Sequence, residues 1–162
     1  GKTAHAGEGY GANSVWSTLR SLGVKRIDHG VRSIEDPALV RYLAEQKIAL
    51  NLCPTSNVML GVVSSFEKHP IRYYHEQGIP VNVSTDDPAF FHTTLSAELE
   101  KVVGYCNIPI DQIPQIIRNA LHASFLDQEQ KKAFSDEFNS QTKALVQEIL
   151  PPRESLNSHS DC

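Results

Sequence analysis

Pro80-Val81-Asn82-Val83-Ser84-Thr85-Asp86-Asp87-Pro88 decides the fold of this chain. An apolar run of strand length ends abruptly in two adjacent carboxylates, and Asp-Pro then turns the chain into whatever follows. Carboxylates crowded at a strand end repel unless a cation or hydrogen-bond donor neutralises them. Working back from here, the same grammar recurs. Residues 48–53 are a compact apolar run closed by Pro54, residues 26–29 end in Asp28-His29-Gly30, and residues 2–6 lead into His5-Ala6-Gly7-Glu8.

Helical patterns fill the gaps. Residues 11–22 place Val15, Trp16, Leu19 and Leu22 at helical spacing and stop at Gly23. Asp36-Pro37 is an N-cap and first-turn pair, followed by Leu39, Val40 and Leu43. Residues 69–77 make a further helix, with Pro70 in its first turn and Gly78 past its end. Strand starts thus fall roughly 20 to 30 residues apart, the rhythm of βα units around a parallel sheet. After Pro88 the pattern becomes helical throughout, over 94–105, 111–122 and 127–150, the last opening on an Asp127/Gln130 capping box. Pro151-Pro152 ends it, and 153–162 reads as a disordered polar tail. The expected organisation is one domain over 1–150 and a tail over 151–162.

Composition excludes several classes. The chain has 162 residues, 40% hydrophobic and 21% charged, with a net charge of −4. That mild charge is spread along the chain, so neither nucleic acid nor an acidic membrane surface is an expected partner. No apolar run approaches the roughly 20 residues a membrane span needs. Cys53, Cys106 and Cys162 are odd in number and scattered, which argues against a disulfide framework or a cysteine zinc site and suits a reducing, cytoplasmic compartment.

In a parallel β/α architecture, functional side chains gather at the carboxyl ends of the strands. His5, His29 and Asp86 all fall there, and Cys53-Pro54-Thr55-Ser56-Asn57 lines the same mouth. Taken singly, each motif has an ordinary structural explanation: a turn histidine, a solvated glutamate, a helix N-cap. In this order, on successive strand ends, they resemble the C-terminal half of the adenosine deaminase family. Arg118-Asn119-Ala120 and Ala123-Ser124-Phe125 are similar to that family's late helix, so the resemblance runs from about residue 2 to residue 148.

What the resemblance implies is specific. The fold is α/β, the C-terminal half of a (β/α)8 TIM-type barrel with extra C-terminal helices. The reaction is hydrolytic deamination of a 6-aminopurine nucleoside, which needs an activated water and an acid that protonates a ring nitrogen. His5 and Asp86 match zinc ligands, so the expected cofactor is Zn2+. Glu8 matches the carboxyl that protonates purine N1, and His29 the histidine beside the zinc-bound water, handling its proton. Asp87 matches an aspartate that anchors the purine, and Gly7 is a further substrate-binding candidate. His92 follows the Asp-Asp-Pro loop. His69 and His75 read as surface or structural, and Cys53 as a packed strand-end residue.

A full barrel takes about 250 residues, and four strands do not close. The family's early His-x-His pair, two more zinc ligands, has no counterpart in this sequence. The expectation is a longer protein whose N-terminal half supplies them, with weak zinc binding and no turnover by these 162 residues alone. A catalytically incomplete chain serving as a binding or interaction module is the alternative. Adenosine, adenine and aminofutalosine all remain open as substrates.

Overall fold

Four of the apolar runs pair as parallel strands: β1 (Thr3–Ala6), β2 (Arg26–His29), β3 (Ala49–Leu52) and β4 (Val81–Val83). In the computed structural model, which describes residues 1–149, they form one sheet in the order β1-β2-β3-β4. Neighbours in sequence are therefore neighbours in the sheet, as in a stretch of barrel wall. β1, β3 and β4 are shorter than the apolar runs that encode them, and β2 matches its run.

The register explains why the two faces differ. Ala4, Ile27, Leu50 and Val81 sit side by side across the sheet. Ile27, Leu50 and Val81 are fully buried, and each such side chain contributes about 1.5–3 kcal/mol by leaving water. One residue further along, the row is His5, Asp28, Asn51 and Asn82. Alternation puts that polar row on the opposite face. Asp28 binds it together, accepting from Thr3 Oγ1 at 2.6 Å and from Asn51 Nδ2 at 3.1 Å. A parallel sheet with a polar face matches a barrel wall seen from inside.

The helices are α1 (Ala12–Leu22), α2 (Pro37–Glu45), α3 (Pro54–Met59), α4 (Ile71–Glu76), α5 (Pro88–Phe91), α6 (Leu95–Gly104), α7 (Ile113–Ala123) and α8 (Gln128–Ile149). Their ends use the chemistry the sequence announces. Gly23 adopts a left-handed conformation after α1, donating its N–H to Leu19 O. The Asp36 side chain accepts from Ala38 N ahead of α2, and Thr94 does the same for Ala97 N ahead of α6. Asp127 and Gln130 form the expected reciprocal box at the start of α8.

The segment after β3, marked in the sequence by Pro54 alone, forms α3 with Pro54 in its first turn, where a missing N–H costs nothing. Among the described residues the chain divides into two compact units, one over Gly1–Phe125 and one beginning at Leu126. The core of the first draws on the β1–β4 sheet and its flanking helices. None of the described side chains of α8 is buried, so that helix brings no apolar face of its own to a core. The expected polar tail, 151–162, lies outside the described residues.

Gly7 and Gly30 hold left-handed conformations at φ 67° and 69° where β1 and β2 run out. A Cβ on Gly30 would stand 2.6 Å from Leu50 Cδ2, in the middle of the core row. Gly30→Ala is expected to cost about 2–4 kcal/mol, backbone strain and overpacking acting together. Chemical denaturation of the full-length protein checks this; an unchanged midpoint would refute it.

Candidate active site

The exits of β1, β2 and β4 turn sharply. His29 has φ 67° and Asp86 φ 59°, a left-handed conformation that non-glycine residues seldom adopt, costing about 1 kcal/mol or more each. With Gly7, three of the four strand ends therefore kink in the same sense. The result is convergence. His29 Nε2 lies 3.5 Å from Glu8 Oε1 and 3.9 Å from Asp86 Oδ2, and the His5 and His29 rings stand 5.2 Å apart between centroids. Four of the residues singled out by sequence thus meet at one point.

The remaining two take other places. Gly7 is committed to the fold through both backbone polar groups: its N–H donates to Ser14 Oγ at 2.9 Å and its carbonyl accepts from Arg32 N at 2.8 Å. Its left-handed turn precedes Glu8 directly. Asp87 caps α5, one carboxylate oxygen accepting from Phe90 N at 3.2 Å. Its side chain is exposed, one residue beyond Asp86. His92 is exposed and ends α5 in a left-handed conformation. His75 pairs with Gln112 Oε1, a structural contact.

Sequence reasoning missed how much of the site α3 supports. Ser56 is fully buried and donates to Asp86 Oδ2 at 2.7 Å, which fixes the carboxylate despite its strained backbone. Asn57, also fully buried, places Nδ2 3.2 Å from His29 Nδ1. Behind it, His69 Nε2 lies 3.2 Å from Asn57 Oδ1, and His69 Nδ1 accepts from Ile71 N. The signal was present in Thr55-Ser56-Asn57, three polar residues directly after an apolar strand.

Burial lowers the pKa of His69 to about 4. The unfolded ring titrates near the ordinary value of about 6.5, so the unfolded state binds the extra proton first as pH falls. Stability is complete above about 6.5, declines between about 6.5 and 4, and changes no further below that on this group's account. His69→Gln is expected to flatten that limb of the stability-versus-pH curve. An equally steep acid limb in the variant would assign it elsewhere.

The donor set suits a divalent cation. An imidazole (His5) and a carboxylate anchored by Ser56 (Asp86) are ordinary zinc ligands, and catalytic zinc typically takes three from protein. Among the described residues, the ligand-type atoms of His29, Cys53 and Asp86 fall within 4.8 Å of one another. Cys53 suits a metal ion poorly, because burial, and then the Asp86 charge, push its thiol up to about 12. Cys53 is a packed strand-end thiol, as its sequence position implies. No described helix is long and apolar enough to cross a membrane.

Comparison with known proteins gives the same direction. The profile of the family described as adenosine deaminase matches residues 1–141. The chain is 42% identical over 134 residues to an adenosine deaminase of Aliivibrio fischeri (strain MJ11), covering 83% of this chain and 40% of that protein. Its structure is similar to that of an adenine deaminase from Arthrobacter aurescens, with a TM-score of 0.83 at 33% identity over 87% of this chain and 43% of the other. A Zn-bound amidohydrolase from Burkholderia ambifaria gives 0.82 at 26% identity, over 91% and 42%. The chain therefore spans about two fifths of the length of the proteins it matches.

Proposed function

Because this chain belongs to the adenosine deaminase family, we propose that it is the C-terminal half of a barrel whose complete form hydrolyses 6-aminopurines to the 6-oxo product and ammonia. One observation carries the reading: Glu8, His29 and Asp86 leave three different strands and meet within 3.9 Å of the His29 Nε2 atom. A core packing requirement alone does not gather two carboxylates and a histidine at one strand-end surface, whereas acid-assisted hydrolysis needs such a group.

His5 and Asp86 would hold a zinc ion, with further ligands from outside these 162 residues. When bound, the ion supplies Lewis-acid activation, lowering the pKa of a water toward neutrality. Glu8 donates a proton to the ring nitrogen next to the amino-bearing carbon, which makes that carbon electrophilic. Asp87 accepts a hydrogen bond from the purine with its exposed carboxylate, orienting the ring against Glu8. Ser56 keeps Asp86 aimed. Water and the aminopurine thus become the 6-oxopurine and ammonia, with protons balanced through the carboxyl groups.

Adenosine is the preferred substrate of this reading, supported by the Aliivibrio fischeri relative. The free, buried thiols of Cys53 and Cys106 support a reducing, cytoplasmic setting. The test uses the full-length protein: metal content together with ammonia release from adenosine, adenine and aminofutalosine. Stoichiometric zinc with turnover of adenosine is expected. A metal-free protein inert toward all three would overturn the proposal.

A further inference from the structure

Behind the carboxylates, three buried polar side chains run in single file away from the site. His29 is 2% exposed, Asn57 0% and His69 4%, so water does not substitute for any missing partner. The links are Asn57 Nδ2 to His29 Nδ1, His69 Nε2 to Asn57 Oδ1, and Ile71 N to His69 Nδ1, each 3.2 Å. In isolation each side chain is ambiguous, since an amide flips and an imidazole has two neutral tautomers.

The far end removes the ambiguity. Ile71 N is a backbone N–H and only donates, so His69 Nδ1 carries a lone pair. Neutral His69 then bears its proton on Nε2 and donates to Asn57 Oδ1. That leaves the Asn57 amide NH2 pointed at His29, whose Nδ1 accepts. Reversing any one member sets two donors or two acceptors face to face. A buried unsatisfied group costs about 1–3 kcal/mol, so the reverse order is disfavoured by about 5- to 150-fold.

We propose that Asn57 and His69 are positioning residues that dictate the tautomer of His29, holding its proton on Nε2, the atom that faces Glu8 and Asp86. The inference rests on the deaminase reading for its consequence but not for its geometry. In this tautomer Nε2 has no lone pair. His29 therefore meets the reacting oxygen as a hydrogen-bond donor, and a neighbouring carboxylate takes the proton that water releases. This refines the role read from sequence, where His29 itself handled that proton.

The test is histidine-15N NMR of the full-length protein, with the His29 ring assigned by its loss in His29→Gln. The wild-type spectrum is expected to show a protonated Nε2 and an unprotonated Nδ1. Asn57→Asp puts an acceptor where a donor stood, so the proton should move to Nδ1, with kcat lowered by about 10- to 100-fold and KM nearly unchanged. His69→Gln keeps a donor to Asn57 and should retain the wild-type tautomer and most of the activity, whereas His69→Phe should not. An Nδ1-protonated ring in the wild type, or a tautomer indifferent to Asn57→Asp, would overturn the proposal even in an active enzyme. The expected tautomer in a protein without deaminase activity would instead remove only the reading of function.

Discussion

Glu8→Gln is expected to lower kcat for adenosine by about 10²–10⁴ in the full-length enzyme, the range that a positioned acid contributes. Zinc content, unfolding midpoint and KM should hardly change. The side chain is a quarter exposed, and its 3.5 Å approach to buried His29 Nε2 is one that the glutamine Oε1 can still accept. The amide has nearly the same shape yet no proton to give at the pKa the reaction needs. Steady-state kinetics with parallel metal analysis decide the matter. A loss below tenfold would deny Glu8 the role of proton donor, and a loss accompanied by missing zinc would assign it to metal retention. Glu8→Asp, which keeps the acid but withdraws it, should fall between.

The largest structural effect is expected far from any reacting atom. Glu98, on α6, is fully buried. Its carboxylate accepts from Thr55 N at 3.0 Å, from Thr93 Oγ1 at 2.6 Å and from Thr55 Oγ1, while Lys101 Nζ stands 3.4 Å away. Lys101 also donates to Thr55 Oγ1 at 2.7 Å. This cluster ties the first turn of α3 to α6. Glu98→Ala leaves the Thr55 N–H and two threonine hydroxyls without their acceptor in a buried cluster, at about 1–3 kcal/mol for each donor left unsatisfied. Against a total of about 5–15 kcal/mol, that is a large share. Equilibrium denaturation of the full-length protein measures it, with Glu98→Gln as the milder control. A change under 1 kcal/mol would show that the cluster is not a structural tie. Because Thr55 precedes Ser56 and Asn57, amide exchange should quicken first at the start of α3, where the site's supports begin.

How much of this was legible in the sequence follows from range. The four strands and most helices were, because alternation, helical spacing and caps such as Asp36 and Thr94 act over a few residues. The meeting of His5, Glu8, His29 and Asp86 was legible from parallel topology, which sends strand ends to one side. The six-residue α3 was not, since Pro54 closes a strand as readily as it opens a helix and six residues show little period. Glu98 was equally silent, a glutamate on an amphipathic helix that nothing local marks as buried. His69 looked like a surface or structural residue, and its tie to His29 passes through partners 12 and 28 residues apart. The place of Gly7 in His5-Ala6-Gly7-Glu8 is visible in the sequence, while the hold of Ser14 and Arg32 on its backbone is not.

The left-handed backbone at His29 and Asp86 is held in place by different means. Glycine at either position would relieve strain of about 1 kcal/mol. At buried His29 it would also leave a cavity and an unpartnered Asn57 Nδ2, which together outweigh that relief. At exposed Asp86 the strain is opposed by the bond from Ser56, so packing anchors one strand exit and a single hydrogen bond the other.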